Sequence, residues 1–146
     1  MKTRLTELLN IKYPILQGAM AWISEANLAA AVSNAGGGGI IATSGRDVSW
    51  VKEQIDLARK LTDKPLGVNV VLMDDDKEEK IDLLCNEKVS FVTLGAGNPV
   101  PFIEKLKNAG IKVIPVVPNT RLAKRVEANG ADALIIEGME AGGHIG

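Results

Sequence analysis

The sequence predicts an α/β protein of the (β/α)8-barrel type, with only the first six strands present in a chain of 146 residues. Three observations carry that expectation. Short, continuous apolar runs rich in Val and Ile recur along the chain, as in strands buried on both faces. Segments with helical spacing separate them. The units repeat evenly, at roughly 20 to 27 residues, which favours a barrel over an open doubly wound sheet. A dinucleotide fingerprint would need G-x-G-x-x-G in the first strand-to-helix turn, and QGAMAWISEAN does not supply it.

The first apolar run is Tyr13–Gln17 (YPILQ). The helix after it places Leu28, Ala31, Val32 and Ala35 on one stripe, with Ser24 as N-cap and Gly36 just past the end. The glycine run Gly36–Gly39 reads as a tight turn into the second run, Gly39–Ala42. Val51, Ile55 and Ala58 form the next helical stripe, before the third run, Leu66–Val71. The acidic stretch DDDKEEK, Asp74–Lys80, is expected to be a solvated loop and first helical turn, where acidic groups suit the helix dipole. Ile81, Leu84 and Cys85 make the third stripe, with Cys85 as a small core residue.

Val89–Leu94 is the fourth run. Phe102, Ile103 and Leu106 follow on a helix opened by Asn98-Pro99 and closed by Gly110. The fifth run, Lys112–Val117, contains Pro115, whose missing N–H demands a bulge or a position where none is needed. Leu122, Ala123 and Val126 form the last stripe, closed by Gly130, and the sixth run is Ala133–Ile136. The whole chain, 1–146, therefore reads as one incomplete barrel domain.

Composition narrows the function. With 17 Lys plus Arg against 18 Asp plus Glu, no basic face is expected, and nucleic acid is not an expected partner. The single cysteine allows no internal disulfide, which suits a reducing cytoplasm. No signal peptide and no membrane span is predicted, so the expected location is cytoplasmic.

Barrels build their active sites at the C-terminal strand ends. There the sequence places Gln17-Gly18-Ala19-Met20, Ala42-Thr43-Ser44, Asn69, Thr93-Leu94-Gly95-Ala96-Gly97-Asn98, Val117-Pro118-Asn119 and Glu137. Small residues dominate, which suits a flat ligand lying close to the backbone. Asn69 needs a hydrogen-bond partner, either on a neighbouring strand or on a ligand. Glu137 follows an apolar run, and a salt bridge, a helix cap or a ligand would satisfy it. His144, the only histidine, sits in the glycine loop EGMEAGGHIG, where it is either incidental or placed for proton transfer near neutral pH. No metal site is expected.

The segments MKTRLTELLNIKYPILQGAMAW, DKPLGVNV, TLGAGNP, AGIKVIPVVP and EGMEAGGHIG, in this order, resemble bacterial enoyl-acyl-carrier-protein reductase II, within the wider nitronate monooxygenase superfamily. The resemblance implies an FMN barrel reduced by NAD(P)H that passes hydride to trans-2-enoyl thioesters on acyl carrier protein. It also implies a homodimer that responds to a monovalent cation. Gly18, Ala19, Met20 and Ala21 match the flavin-contacting backbone, and Asn69 matches an amide that hydrogen-bonds the flavin. Glu137 matches a carboxylate of the FMN site, Gly142 and Gly143 the loop beside it, and His144 the active-site histidine. Two places depart from the family pattern: Gly38, where a larger residue is expected, and ATSGRD after the second run. The family's phosphate-binding loops follow strands seven and eight, so this chain is expected to be a fragment that binds FMN poorly by itself. The alternatives are a nitronate monooxygenase, in which the histidine acts as base, and an inert partial barrel.

Overall fold

The structure, a computed structural model, describes residues 2–143. Its order is α1 (Arg4–Leu9), α2 (Ala26–Ala35), β1 (Gly39–Ala42), α3 (Val48–Leu61), β2 (Leu66–Val71), α4 (Lys77–Glu87), β3 (Phe91–Gly95), α5 (Val100–Asn108), β4 (Lys112–Val117), α6 (Thr120–Ala128) and β5 (Ile135–Ile136). Every strand pairing is parallel, and the sheet order is β1-β2-β3-β4-β5. A doubly wound sheet would reverse its order at a switch point. This sheet never does, so it is an arc of a barrel.

The first predicted strand is shorter than expected. Tyr13–Gln17 contributes one parallel bridge, Leu16 to Gly38. Pro14 has no N–H to give, and the N–H groups of Lys12 and Tyr13 both donate to Gly36 O. Beyond the bridge, the Gln17 side chain replaces the ladder: the Ile40 N–H donates to Gln17 Oε1 at 3.2 Å.

The strands separate two cores. Outward-facing Ile41, Val68, Val70, Val92, Leu94 and Val113 pack against the helices, through Val51, Ile55, Ala58, Ile81, Leu84, Ile103 and Leu106. Inward-facing Ile40, Phe91 and Ile114 pack with Leu9 and Ile11, so α1 and its exit close the lower end of the arc. The Phe91 ring fills that end, and a Cβ added at Gly67 would overlap it. At Gly38 a Cβ would strike Leu16 and come within 3.2 Å of Phe91. The departure at Gly38 is therefore a matter of packing at the closed end, opposite the strand ends that carry the predicted site.

Three sequence expectations need correction. On α2 the buried face is Ala26, Ala29, Ala30 and Ser33, not the stripe of Leu28, Ala31, Val32 and Ala35. The helix lies so close to β1 that a Cβ on Gly39 would overlap the Ala29 carbonyl, and only small residues fit between them. Ser24 is not the N-cap. Glu25 holds that position without a side-chain cap bond, and the Ala26 N–H donates to Gln54 Oε1 of α3 at 2.9 Å. Lys80 is not solvated: it is 1% exposed, although its acidic neighbours suggested a surface turn.

Pro115 is accommodated without a bulge. The Val113 and Val117 carbonyls face β5, accepting from Asp132 N and Glu137 N. Residue 115 turns the same way by strand alternation. The β4–β5 pairs begin only at Val116–Ile135, so the missing N–H falls before that ladder starts.

Candidate active site

The inward-facing residues change character along the strands. Above Phe91, the register aligns Ala42 with Asn69 and Asn69 with Thr93, and one step higher Val71 with Gly95. These side chains are too small to close the arc. A cleft of about 1530 Å³ opens there, larger than the roughly 300–1,000 Å³ of ordinary small-molecule pockets. Gly18, Ala19, Met20, Ala21, Asn69, Glu137, Gly142 and Gly143 all line it. Residues spread over most of the chain are thus gathered at one place. His144 lies outside the described residues. A second cleft, about 310 Å³, lies at the other end of β2 among Arg59, Lys64, Lys88 and Ser90, away from all of these.

The loop after Gln17 is pinned from behind. Gln17 Nε2 donates to Ser24 Oγ at 2.7 Å, and Ser24 Oγ accepts from Met20 N–H at 2.9 Å. Ser24 is buried, so its hydroxyl serves the loop rather than capping α2. Among the described residues, the N–H groups of Gly18 and Ala19 have no acceptor, which leaves two donors on the cleft lining. A second tie sits outside this loop. The Arg46 guanidinium lies 4.2 Å from the Trp22 ring and 4.5 Å from the Trp50 ring, and its Nη2 meets Glu25 Oε1 at 3.0 Å. Trp22 holds a left-handed backbone (φ 67°) to reach that stack.

Asn69 takes the first of the two roles left open for it. Its Nδ2 donates to Thr93 Oγ1 at 2.9 Å, a partner on the neighbouring strand. That bond fixes the amide, and Oδ1, which accepts nothing among the described residues, remains on the cleft side. Thr93 stands among the strand-end residues that the sequence places at the rim, but its part in holding Asn69 was not foreseen. Its neighbour Thr43 is fully buried and donates from Oγ1 to Asn69 O at 2.9 Å. Two threonines therefore hold the backbone and side chain of Asn69. Glu137 is half-buried just past β5, its N–H donating to Val117 O at 3.1 Å. Among the described residues its carboxylate forms no ion pair, so the salt-bridge expectation is not met.

Elsewhere, burial pushes the Cys85 thiol above its ordinary pKa, in keeping with a packed residue rather than a nucleophile. Asp47 is held below the usual carboxylate range by the Trp50 N–H, as befits the N-cap of α3. Among the described residues no helix is long and apolar enough to cross a membrane.

Comparison with known proteins agrees with this geometry. The nitronate monooxygenase family model matches residues 2–80 and 74–146, two segments that overlap across the loop before α4 and its first turn. The structure of FabK from Thermotoga maritima superposes with a TM-score of 0.98 at 50% identity, over 100% of this chain and 47% of that one. A nitroalkane oxidase from Streptomyces ansochromogenes superposes with a TM-score of 0.90 at 31% identity, over 99% of this chain and 51% of that one. A (3aS,4S,5R,7aS)-5-hydroxy-7a-methyl-1-oxo-octahydro-1H-indene-4-carboxyl-CoA dehydrogenase from Rhodococcus jostii is 39% identical over 146 residues, all of this chain and 41% of its own length. A probable nitronate monooxygenase from Staphylococcus aureus is 32% identical over 181 aligned residues, 99% of this chain and 51% of its own. The chain thus spans about half the length of the relatives it matches. The Staphylococcus alignment is longer than this chain, so that relative carries extra residues inside the matched region.

Proposed function

The chain belongs to the nitronate monooxygenase family, and from that premise we propose that the whole protein is an FMN-dependent enoyl-acyl-carrier-protein reductase driven by NAD(P)H. The observation that carries this reading is the match to FabK, 50% identical with a TM-score of 0.98 over the whole chain. The Rhodococcus relative, whose name specifies a carboxyl-CoA thioester, supports the same substrate class and aligns over 146 residues.

The cleft residues fit a flavin. Gly18, Ala19, Gly95 and Ala96 leave backbone where larger side chains would fill the cleft, so a flat ring can approach closely. Gly18 N–H and Ala19 N–H are free donors for the polar edge of such a ring, and Asn69 Oδ1 is a fixed acceptor. When bound, the flavin supplies hydride transfer. The protein's part is to hold the ring, exclude water and move one proton. Thr93 and Thr43 hold Asn69 in the orientation that presents Oδ1. The Gln17–Ser24 pair holds the 18–21 loop. Met20 and Met73 are partly exposed on the cleft wall and offer apolar contact for an acyl chain. We assign His144 the hydrogen bond or proton to the thioester oxygen and α-carbon. The remaining proposals are the acyl carrier protein as partner, a homodimer, a monovalent cation and cytoplasmic residence.

Anaerobic visible spectroscopy of the whole protein tests this reading. A flavin band that bleaches with NADH or NADPH and returns on adding an enoyl thioester is the expected result. A band indifferent to both nucleotides, but reoxidised with turnover of an alkyl nitronate, would replace it with the monooxygenase reading that the family name and the Staphylococcus relative support.

A further inference from the structure

Among the described residues Lys80 is the one charged side chain that is fully buried, and nothing in the proposed chemistry uses it. Its Nζ lies 2.9 Å from Asp74 Oδ2, 2.8 Å from Asp76 Oδ1 and 3.2 Å from the Thr43 carbonyl. Burying an ammonium costs several kcal/mol unless its protons are matched, and here three acceptors match them. Burial alone would lower its pKa, but the Asp76 and Asp74 carboxylates outweigh that and raise it. The charge is therefore kept.

The acceptors come from two separate places. Thr43 directly follows β1, and Asp74 and Asp76 lie in the loop between β2 and α4. Met73 and Asp74 are part of the cleft wall. From Thr43 the bonding continues inward: Thr43 Oγ1 donates to Asn69 O, and Asn69 Nδ2 donates to Thr93 Oγ1. Hydrogen bonds, joined through the covalent frames of Thr43 and Asn69, thus connect Lys80 to the residue whose free amide oxygen faces the cleft. The loop involved is also where the two segments of the family match overlap.

We propose that Lys80 is a positioning residue: its buried ammonium clamps the β2–α4 loop onto the end of β1, and so sets the cleft wall at Met73–Asp74 and the orientation of Asn69. This rests on the flavin reading only for its effect on the cofactor. The clamp itself is a property of the polypeptide. In it, a short loop held by an internal cation forms the wall.

The test uses the whole protein with Lys80→Met, which keeps length and removes charge, Lys80→Arg, and Asp74→Asn, which removes only the cleft-side tether. Two quantities are read: amide hydrogen exchange at Leu72 and Asp74 without FMN, and FMN affinity from flavin fluorescence. Lys80→Met and Asp74→Asn are expected to speed exchange at both amides and to weaken FMN binding about tenfold, with Lys80→Arg recovering part of each. Combining Lys80→Met with Asn69→Ala should lose less than the product of the two single effects, because both act through one amide. Unchanged exchange and affinity in a folded Asp74→Asn or Lys80→Met protein overturns the proposal, as does strict additivity with Asn69→Ala. If the unsubstituted protein takes up no FMN while exchange still rises in the variants, the clamp stands and the flavin reading falls.

Discussion

The two ends of the same strands use small residues for opposite purposes. At the lower end Gly38 and Gly67 are small because Phe91 occupies the space beside them, and a methyl group there would overlap its ring or Leu16. At the upper end Gly18 and Gly142 have nothing within 4 Å of an added Cβ, and Gly95 meets only Val116 at 3.9 Å. One set of glycines marks a filled core and the other an unfilled cleft. A glycine in an apolar run therefore says that something passes close to it. It does not say whether that something is the protein's own side chain or a ligand.

The comparison can be broken most forcefully at the closed end. Phe91→Ala should destabilise the fold by about 3–5 kcal/mol, since the ring is fully buried and α1 packs against it. Thermal or denaturant unfolding measures it, and a loss below 1 kcal/mol would mean the lower end is not a packed core. Gly67→Ala should cost about 1–3 kcal/mol by overpacking the same ring. At the open end the pattern reverses. Gly95→Val should shift stability by less than about 1 kcal/mol yet reduce FMN uptake at least about tenfold, because the new side chain enters the cleft. An equally flavin-loaded Gly95→Val protein would separate this cleft from the cofactor. Asn69→Ala should weaken FMN retention more than it lowers the melting temperature, since the bond it loses to Thr93 is worth only about 1 kcal/mol.

The smallest expected effect is on pH dependence. The pKa of Lys80 is raised above its ordinary 10.5, so its contribution is complete below that pH and is lost as the pH rises through the folded value. Unfolding free energy measured upward from pH 10 should fall more steeply in the unsubstituted protein than in Lys80→Met. Matching slopes would show that the ammonium is not held by its carboxylates.

Most of the outer layer could be read from the chain. Val51, Ile55, Ala58, Ile81, Leu84, Ile103 and Leu106 are buried as their spacing requires, because apolar periodicity is a local property of a helix against a sheet. On α2 that reasoning failed. Alanine is too weakly apolar to mark a face, so Leu28 and Val32 outweighed Ala26, Ala29 and Ala30, until close contact with β1 selected the small residues. Of the candidate site, the residue types at the strand ends were readable, and so was the need of Asn69 for a partner.

Sequence alone thus determined the parallel order of the units, the outward core and which polar residues stand at the strand ends. These follow from hydrophobic period and from turn chemistry, which act over a few residues. Only the tertiary structure decided that Tyr13–Gln17 forms a single bridge, that Phe91 plugs one end, and that Thr43 and Thr93 orient Asn69. It also decided that a lysine in an acidic run lies inside the protein. Those outcomes depend on which groups meet across separate strands and loops, and a buried charge is stable only where such partners converge on it.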